Sequence, residues 1–192
     1  VVSSSMVFGG SSLQLLDTAQ LTYALKNTQT EQSLKLTSKG KLTLSGSTTS
    51  AALTVKDIQE LTGDVVLNGA DLILDLSKDT TIAGDISSSN TSSQLALSND
   101  SDSPISYNFT GNVNVAGGIE VGYRGDSSTT TMKYSSTTTM KWNGNLSNRV
   151  SLSDLGILEL CGEAEISGKI QGNGTLRVAS DAEVLFLATS GA

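Results

Sequence analysis

The hydrophobic residues of this chain recur at every second position over long stretches. Between Leu158 and Val178 every even position is apolar or glycine, whereas the odd positions are mostly polar. Between Ile105 and Gly125 the odd positions follow the same rule. A period of two predicts β-strands with one buried face, because successive side chains of a strand point to opposite sides.

The alternating stretches are too long to be single strands. Twenty extended residues would reach about 66 Å, whereas strands are usually roughly 3–10 residues long. The chain must therefore bend repeatedly while it keeps the same residues inside. Hairpins would need turn signals such as Asn-Gly, which occur at only three places. Corners made by Gly, Ser and Asn, with Gly162 and Gly168 holding the inward parity, account for the pattern with fewer turns.

The pattern predicts an all-β fold, a right-handed parallel β-solenoid in which each coil stacks on the previous one. We expect one domain over residues 1–192, with stacked coils over 33–188 and a possible N-terminal cap or edge segment over 1–32. With about 20–25 residues per coil, the chain would form roughly eight coils and a rod about 40 Å long.

Two segments near the N-terminus are ambiguous. SSLQLLDTAQLTYALKNTQTEQ, residues 11–32, fits a strand period, although Asp17 could also cap a short helix. We favour strand there. VKDIQELTG, residues 55–63, is predicted to be a short turn or helix that Gly63 ends.

The composition favours a narrow core. Hydrophobic residues make up 37% of the chain and aromatics only 4%, while Ser and Thr together number 52. Stacked aliphatic side chains fit these proportions better than a wide globular centre. Tyr107, Tyr123, Tyr134 and Trp142 fall on the inward parity, so we expect them to pack in the core.

The charge balance restricts the partners. There are 19 acidic and 12 basic residues, and this net charge of −7 argues against nucleic acid and anionic membranes as partners. No apolar stretch reaches the ~18 residues of a membrane-spanning helix. Because the sequence begins without Met, we expect a processed form or an excised fragment.

The chain contains no histidine, which removes Ser-His-Asp and Cys-His catalysis and every His-containing metal site. Its single cysteine, Cys161, excludes an intrachain disulfide and Cys-rich zinc sites. Cys161 falls on the outward parity and is expected to be an incidental free thiol. We predict no catalytic residue, no cofactor and no metal, and hence a protein that is not an enzyme.

Paired carboxylates remain as candidate chemistry, because glycoside hydrolysis needs only two acids at a set separation. Glu163 and Glu165 share an outward face, as do Asp71 and Asp75. Since the aromatics that would stack on a sugar are scarce, we expect these acids to be solvent-facing charges.

One tripeptide is a candidate for partner binding. Arg124, Gly125 and Asp126 spell RGD, which some adhesive proteins present to integrins. The tripeptide follows a long alternating run and precedes the repeat SSTTTMKY-SSTTTMKW, so we expect it at a bend.

The units KGKLTLSGSTTSAALTV, TGNVNVAGGIEVG and ISGKIQGNGTLRV resemble the passenger domains of bacterial autotransporters and related surface β-helix adhesins. In those proteins, strands of the form G-x-L-x-L-x-G alternate with Ser/Thr/Asn/Gly corners. The resemblance covers residues 33–188 and lies in texture, so no functional residue is carried over. It implies a parallel β-helix, secretion to the cell surface, and adhesion or display rather than catalysis.

These observations lead to three functional hypotheses. The first is an extracellular structural or adhesive surface protein, a rod whose Ser/Thr/Asn-rich faces contact a protein or glycan. The second is a self-assembling subunit of an extracellular fibre or surface layer that joins end to end. A polysaccharide-active β-helix enzyme is the least favoured. None involves nucleic acid or insertion of this segment into a membrane.

Overall fold

The computed structural model describes residues 12–123 and 136–187, and all regular structure in these ranges is β-strand. The strands follow one another in eight successive coils. These are β1 (Ser12–Leu15), β2 (Gln20–Leu25) and β3 (Gln29–Glu31); β4 (Ser33–Leu36), β5 (Lys41–Gly46) and β6 (Ala52–Val55); β7 (Ile58–Leu61), β8 (Asp64–Asn68) and β9 (Asp71–Leu76); β10 (Thr80–Ile82), β11 (Ile86–Ser88) and β12 (Leu95–Asn99); β13 (Ile105–Phe109), β14 (Val113–Val115) and β15 (Ile119–Val121); β16 (Thr138–Leu146) and β17 (Val150–Leu152); β18 (Gly156–Ile166) and β19 (Ile170–Gly172); β20 (Thr175–Val178) and β21 (Glu183–Phe186).

Equivalent strands of successive coils stack in parallel and form three faces. The first face carries β1–β4–β7 and then β10–β13–β16–β18–β20. The second face carries β2–β5–β8–β11–β14, and then the ends of β16 and β18 followed by β21. The third face carries β3–β6–β9–β12–β15–β17–β19. The predicted all-β parallel solenoid of about eight coils is confirmed.

The prediction for the first ambiguous segment is confirmed over its described residues, because β1–β3 form a first coil that pairs with β4–β6. The prediction for 55–63 is wrong, because Ile58–Leu61 forms β7 and pairs with β4. The register shifts there: Leu34 pairs with Ile58, but Lys35 pairs with Glu60. This bulge buries both Ile58 and Leu61, and their spacing of three then resembles a helix.

Inward side chains of successive coils stack in columns along the axis. One such column lies on the third face and is at most 2% exposed: Leu53, Leu72, Leu95, Ile119 and Val150. Full burial of each such side chain contributes about 1.5–3 kcal/mol. The strict alternation in the sequence arises because every second side chain of a strand belongs to one of these columns.

Two predicted core aromatics are buried in the fifth and sixth coils of the solenoid. Tyr107 is fully buried, and its hydroxyl lies 2.7 Å from the Leu74 carbonyl and 2.6 Å from the Ser98 carbonyl. Trp142 is also buried and packs on Phe109 with ring centroids 6.2 Å apart. Tyr123 is half-buried, and Tyr134 lies outside the described residues.

Glycines line the corner between the first and second faces. This corner is occupied in successive coils by Gly63, Gly84 and Gly111. The N–H of each glycine donates a hydrogen bond to the backbone carbonyl of an inward-facing residue in the preceding coil. A β-carbon at Gly84 would lie 1.9 Å from the Gly63 carbonyl oxygen, and one at Gly111 would lie 2.4 Å from the Gly84 carbonyl oxygen. Backbone therefore packs directly on backbone, and only glycine fits.

We predict that Gly84→Ala lowers the free energy of unfolding by about 1–3 kcal/mol, because two coils must separate to admit the methyl group. Chemical denaturation followed by circular dichroism measures the change. Thr81→Ala is the control: Thr81 is exposed in the same coil, and its replacement should cost less than about 0.5 kcal/mol. Equal stability of the Gly84 variant and the wild type would contradict the close packing of this corner.

Candidate functional site

The RGD tripeptide, Arg124-Gly125-Asp126, lies outside the described residues, as does the first copy of the Ser/Thr repeat. The proposed role of the tripeptide therefore stays a prediction.

Glu163 and Glu165 lie on the outward side of β18, as the parity predicts. Glu163 is exposed and Glu165 is half-buried. In the next coil they pair with Glu183 and Leu185. This pairing brings Glu163 beside another acid on an open surface rather than into a cleft.

Asp75 is not the solvent-facing charge that the sequence predicts. Its side chain is only 7% exposed, and it forms an ion pair with Lys56. Lys56 Nζ also lies 3.2 Å from Asp100 Oδ2. We call these three residues, which come from three successive coils, the Lys56 cluster.

The electrostatics of the Lys56 cluster favour the charged lysine. Burial lowers the pKa of Lys56, but hydrogen bonds and attraction from Asp75 and Asp100 outweigh that effect and raise the pKa. Asp75 Oδ1 is buried without a hydrogen-bond partner. The negative charge of the buried Asp75 carboxylate is therefore compensated mainly by Lys56. The ion pairs of the cluster link three successive coils along the third face.

Sequence reasoning missed this cluster because Lys56 and Asp100 are 44 residues apart. The signal that could have found it is the coil register, since stacking places one residue above another at intervals of about one coil.

A small polar hollow lies on the third face. Its lining residues include Gln94, Glu120, Arg149 and Ser151, and its volume of about 20 Å³ is large enough for about one water molecule. Arg149 Nη2 donates to the Gly117 carbonyl at 2.6 Å. Burial and the nearby charge of Asp71 raise the pKa of Glu120. Asp71 itself accepts the Gln94 N–H at 2.8 Å.

The first face carries a ladder of charges near the C-terminal end. Lys141, Glu159 and Arg177 occupy the same outward position in three successive coils. Glu159 lies 3.9 Å from Lys141 and 2.9 Å from Arg177. Cys161 is nearby and half-buried, and burial and the charge of Glu159 raise the pKa of its thiol, which makes it a poor nucleophile.

The second face presents a column of short outward side chains. The column runs through five coils in continuous register: Thr22, Thr43, Val66, Ser87 and Asn114. We call it the second-face column. It is uncharged and spans about 19 Å at ~4.8 Å per coil.

Within residues 12–123 and 136–187, no group of three or more acidic or cysteine side chains could hold a metal ion. The same ranges contain no helix long and apolar enough to span a membrane. Comparison of the chain with protein-family models, with curated proteins and with solved structures gave no match.

We predict that Lys56→Met lowers the free energy of unfolding by about 1–3 kcal/mol, because it leaves the buried Asp75 carboxylate uncompensated. Adding Asp75→Leu should recover part of this loss. The control is Lys78→Met, which removes an ion pair to Asp57 whose side chains are 59% and 35% exposed and should be nearly neutral. Denaturant titration of the four proteins measures the differences. Equal effects of the two lysine variants would contradict the structural role of the cluster.

We predict that Glu120→Gln gains stability relative to the wild type as pH rises from acid to neutral. A carboxyl whose folded pKa is raised binds more protons in the folded state, so its contribution to stability falls as pH rises through the interval between the unfolded and folded pKa values. Because Glu120 is partly exposed, the relative gain should stay below about 1 kcal/mol. Unfolding midpoints of both proteins at acid and neutral pH test this, with Asp154→Asn at an exposed position as the control. A difference that does not change with pH would rule the effect out.

Proposed function

We propose that this chain is an extracellular structural or adhesive protein, a solenoid rod that presents a flat polar face to a protein or glycan at the cell surface. The second-face column is the observation that supports this proposal most directly. It repeats short, uncharged side chains at one spacing over five coils, and four of the five, all but Val66, can form hydrogen bonds.

A flat repetitive face suits an extended partner. A stable protein interface takes roughly 800 Å² from each side. The accessible surface of the chain is 10055 Å², so one of the three faces is large enough. By contrast, the hollow on the third face is too small for a sugar ring or a metabolite.

The other two faces carry ion pairs between their own side chains. The first face uses Glu159 in its charge ladder, and the third face uses Lys56, Asp75 and Asp100 in internal ion pairs. A partner on either face would have to compete with those pairs. The second-face column makes no ion pair in the described part of the chain.

The resemblance in texture to autotransporter passengers and surface β-helix adhesins supports the extracellular location. A rod stabilised by many stacked apolar side chains also needs no disulfide, which agrees with a single cysteine. We therefore propose a non-catalytic role in attachment or display.

The proposal is tested by binding of the fluorescently labelled chain to a glycan array and to immobilised extracellular-matrix proteins. The double variant Thr43→Arg, Ser87→Arg places two bulky charges in the second-face column. It should weaken any binding at least about tenfold. The control Asn108→Arg, at an exposed position of the first face, should leave it unchanged.

Absence of binding to every probe would contradict the proposal. So would an equal loss with the control variant, because the partner would then not contact the second face selectively.

A second candidate function, self-association through an end of the solenoid, is favoured by the last coil. Leu158 and Leu176 occupy the same inward position in consecutive coils, yet Leu158 is 0% exposed and Leu176 is 42% exposed. Among residues 12–123 and 136–187, no further layer covers this column beyond Leu176.

A further inference from the structure

The second-face sheet has an edge strand in the interior of the solenoid, at β14. This strand pairs with β11 of the preceding coil, and among residues 12–123 and 136–187 no strand of the sixth coil pairs with its other edge. Ile105 of the fifth coil pairs with Thr138 of the sixth. Ile119 pairs with Val150, so the sixth coil covers the same interval with two residues fewer. The shorter path carries the sixth coil past β14 without a paired strand.

The side chain of Asn148 lies against this edge of β14. Its Oδ1 accepts the Val115 N–H at 2.7 Å, and its Nδ2 donates to the Val113 carbonyl at 2.6 Å. In a parallel ladder, a residue of the neighbouring strand bonds in this way to the two residues that flank the one opposite it. The amide of Asn148 therefore makes both bonds of a strand residue opposite Asn114.

The backbone of neighbouring coils fixes the position of Asn148, which is only 5% exposed. Gly168 takes the equivalent place in the seventh coil. A β-carbon at Gly168 would lie 1.9 Å from the Asn148 carbonyl oxygen. On the other side, the Arg149 carbonyl accepts the Ile119 N–H at 2.8 Å. Asn148 is thus held between the fifth and seventh coils.

We propose that Asn148 substitutes for a strand: its side-chain amide closes the edge of β14 and prevents an extended segment of a second copy from adding to the second-face sheet. Free N–H and C=O groups on an edge strand are a template for another strand. A primary amide suits this task because it both donates and accepts without a charge that would need compensation. The device is independent of the binding proposed for the second face.

Amide hydrogen exchange tests whether Asn148 supplies the missing bonds. In Asn148→Ala the Val115 N–H loses its acceptor, so its exchange should accelerate at least about tenfold more than that of a reference amide in the same sheet. The reference is the Ile86 N–H, which donates to the Asn112 carbonyl. Exchange is measured by NMR on the isotope-labelled chain. Equal acceleration of the two amides would overturn the proposal.

The variant Asn148→Asp gives a pH signature that a merely space-filling side chain would not give. A carboxylate can accept the Val115 N–H but cannot donate to the Val113 carbonyl, whereas a protonated carboxyl can do both. Burial beside that carbonyl raises the pKa of the new carboxyl in the folded state, so its contribution to stability is present in acid and is lost as pH rises through the folded pKa. Val113 and Val115 bring no charge to the amide, and Arg149 Nη2 donates to the Gly117 carbonyl.

We therefore expect Asn148→Asp to be closest to the wild type near about pH 4 and to fall behind it at neutral pH. There its unfolding equilibrium constant should exceed that of the wild type at least about tenfold. The matched control is Asn114→Asp, which makes the same change at an exposed position of the same strand and should follow the wild type. Denaturant titrations at several pH values measure this, and equal pH dependence of the two aspartate variants would contradict the donor role of Asn148.

Sedimentation equilibrium at neutral pH tests whether the closed edge prevents strand addition. Asn148→Ala should associate with a dissociation constant at least about tenfold below that of the wild type. Asn148→Asp loses the same donor but keeps a charge at the edge, which disfavours strand pairing, so it should associate no more than the wild type. If circular dichroism shows that Asn148→Ala is unfolded, Asn148→Ser takes its place. Association that is equal in the uncharged and aspartate variants would overturn the protective role and leave the bonds of Asn148 to β14 standing.

Discussion

At the corners of this solenoid the backbone of one coil rests on the backbone of the next. The Gly63 carbonyl oxygen would lie 1.9 Å from a β-carbon at Gly84, so no side chain fits between them. This contact keeps successive coils at the spacing of hydrogen-bonded strands. The inward columns can form because that spacing persists through the bends, and the narrow core can then be filled by Leu, Ile and Val.

The surface chemistry follows from the same stacking. Coil register brings together residues that are far apart in sequence, as in the pair of Lys56 and Asp100. The buried Asp75 shows that an outward position is not always a solvated one, since neighbouring coils can cover it. The ion pairs of this fold therefore link residues of successive coils along the rod axis and do not gather in a cleft.

A stacked fold also produces faces and ends as its natural interaction surfaces. The second-face column repeats short, uncharged side chains over five coils, and this repetition is the basis of the attachment we propose. Each interior coil is covered by the next one, whereas Leu176 and Phe186, in the last described coil, are more than two-fifths exposed. The attachment proposed for a face and the self-association proposed for an end involve different parts of the molecule, so the two proposals are independent.

The sequence by itself determined the all-β class, because a period of two records which side of a strand is buried. The scarcity of hairpin turn signals indicated parallel stacking, and an assumed coil length of about 20–25 residues gave the approximate number of coils. It also placed Tyr107 and Trp142 in the core. The sequence prediction for residues 55–63 was wrong, because the burial of both Ile58 and Leu61 depends on the bulged pairing of β7 with a distant strand. Only the tertiary structure decided the Lys56 cluster and the second-face column, because each depends on which coil lies above which residue. Alternation along a chain carries no information about what stacks across it.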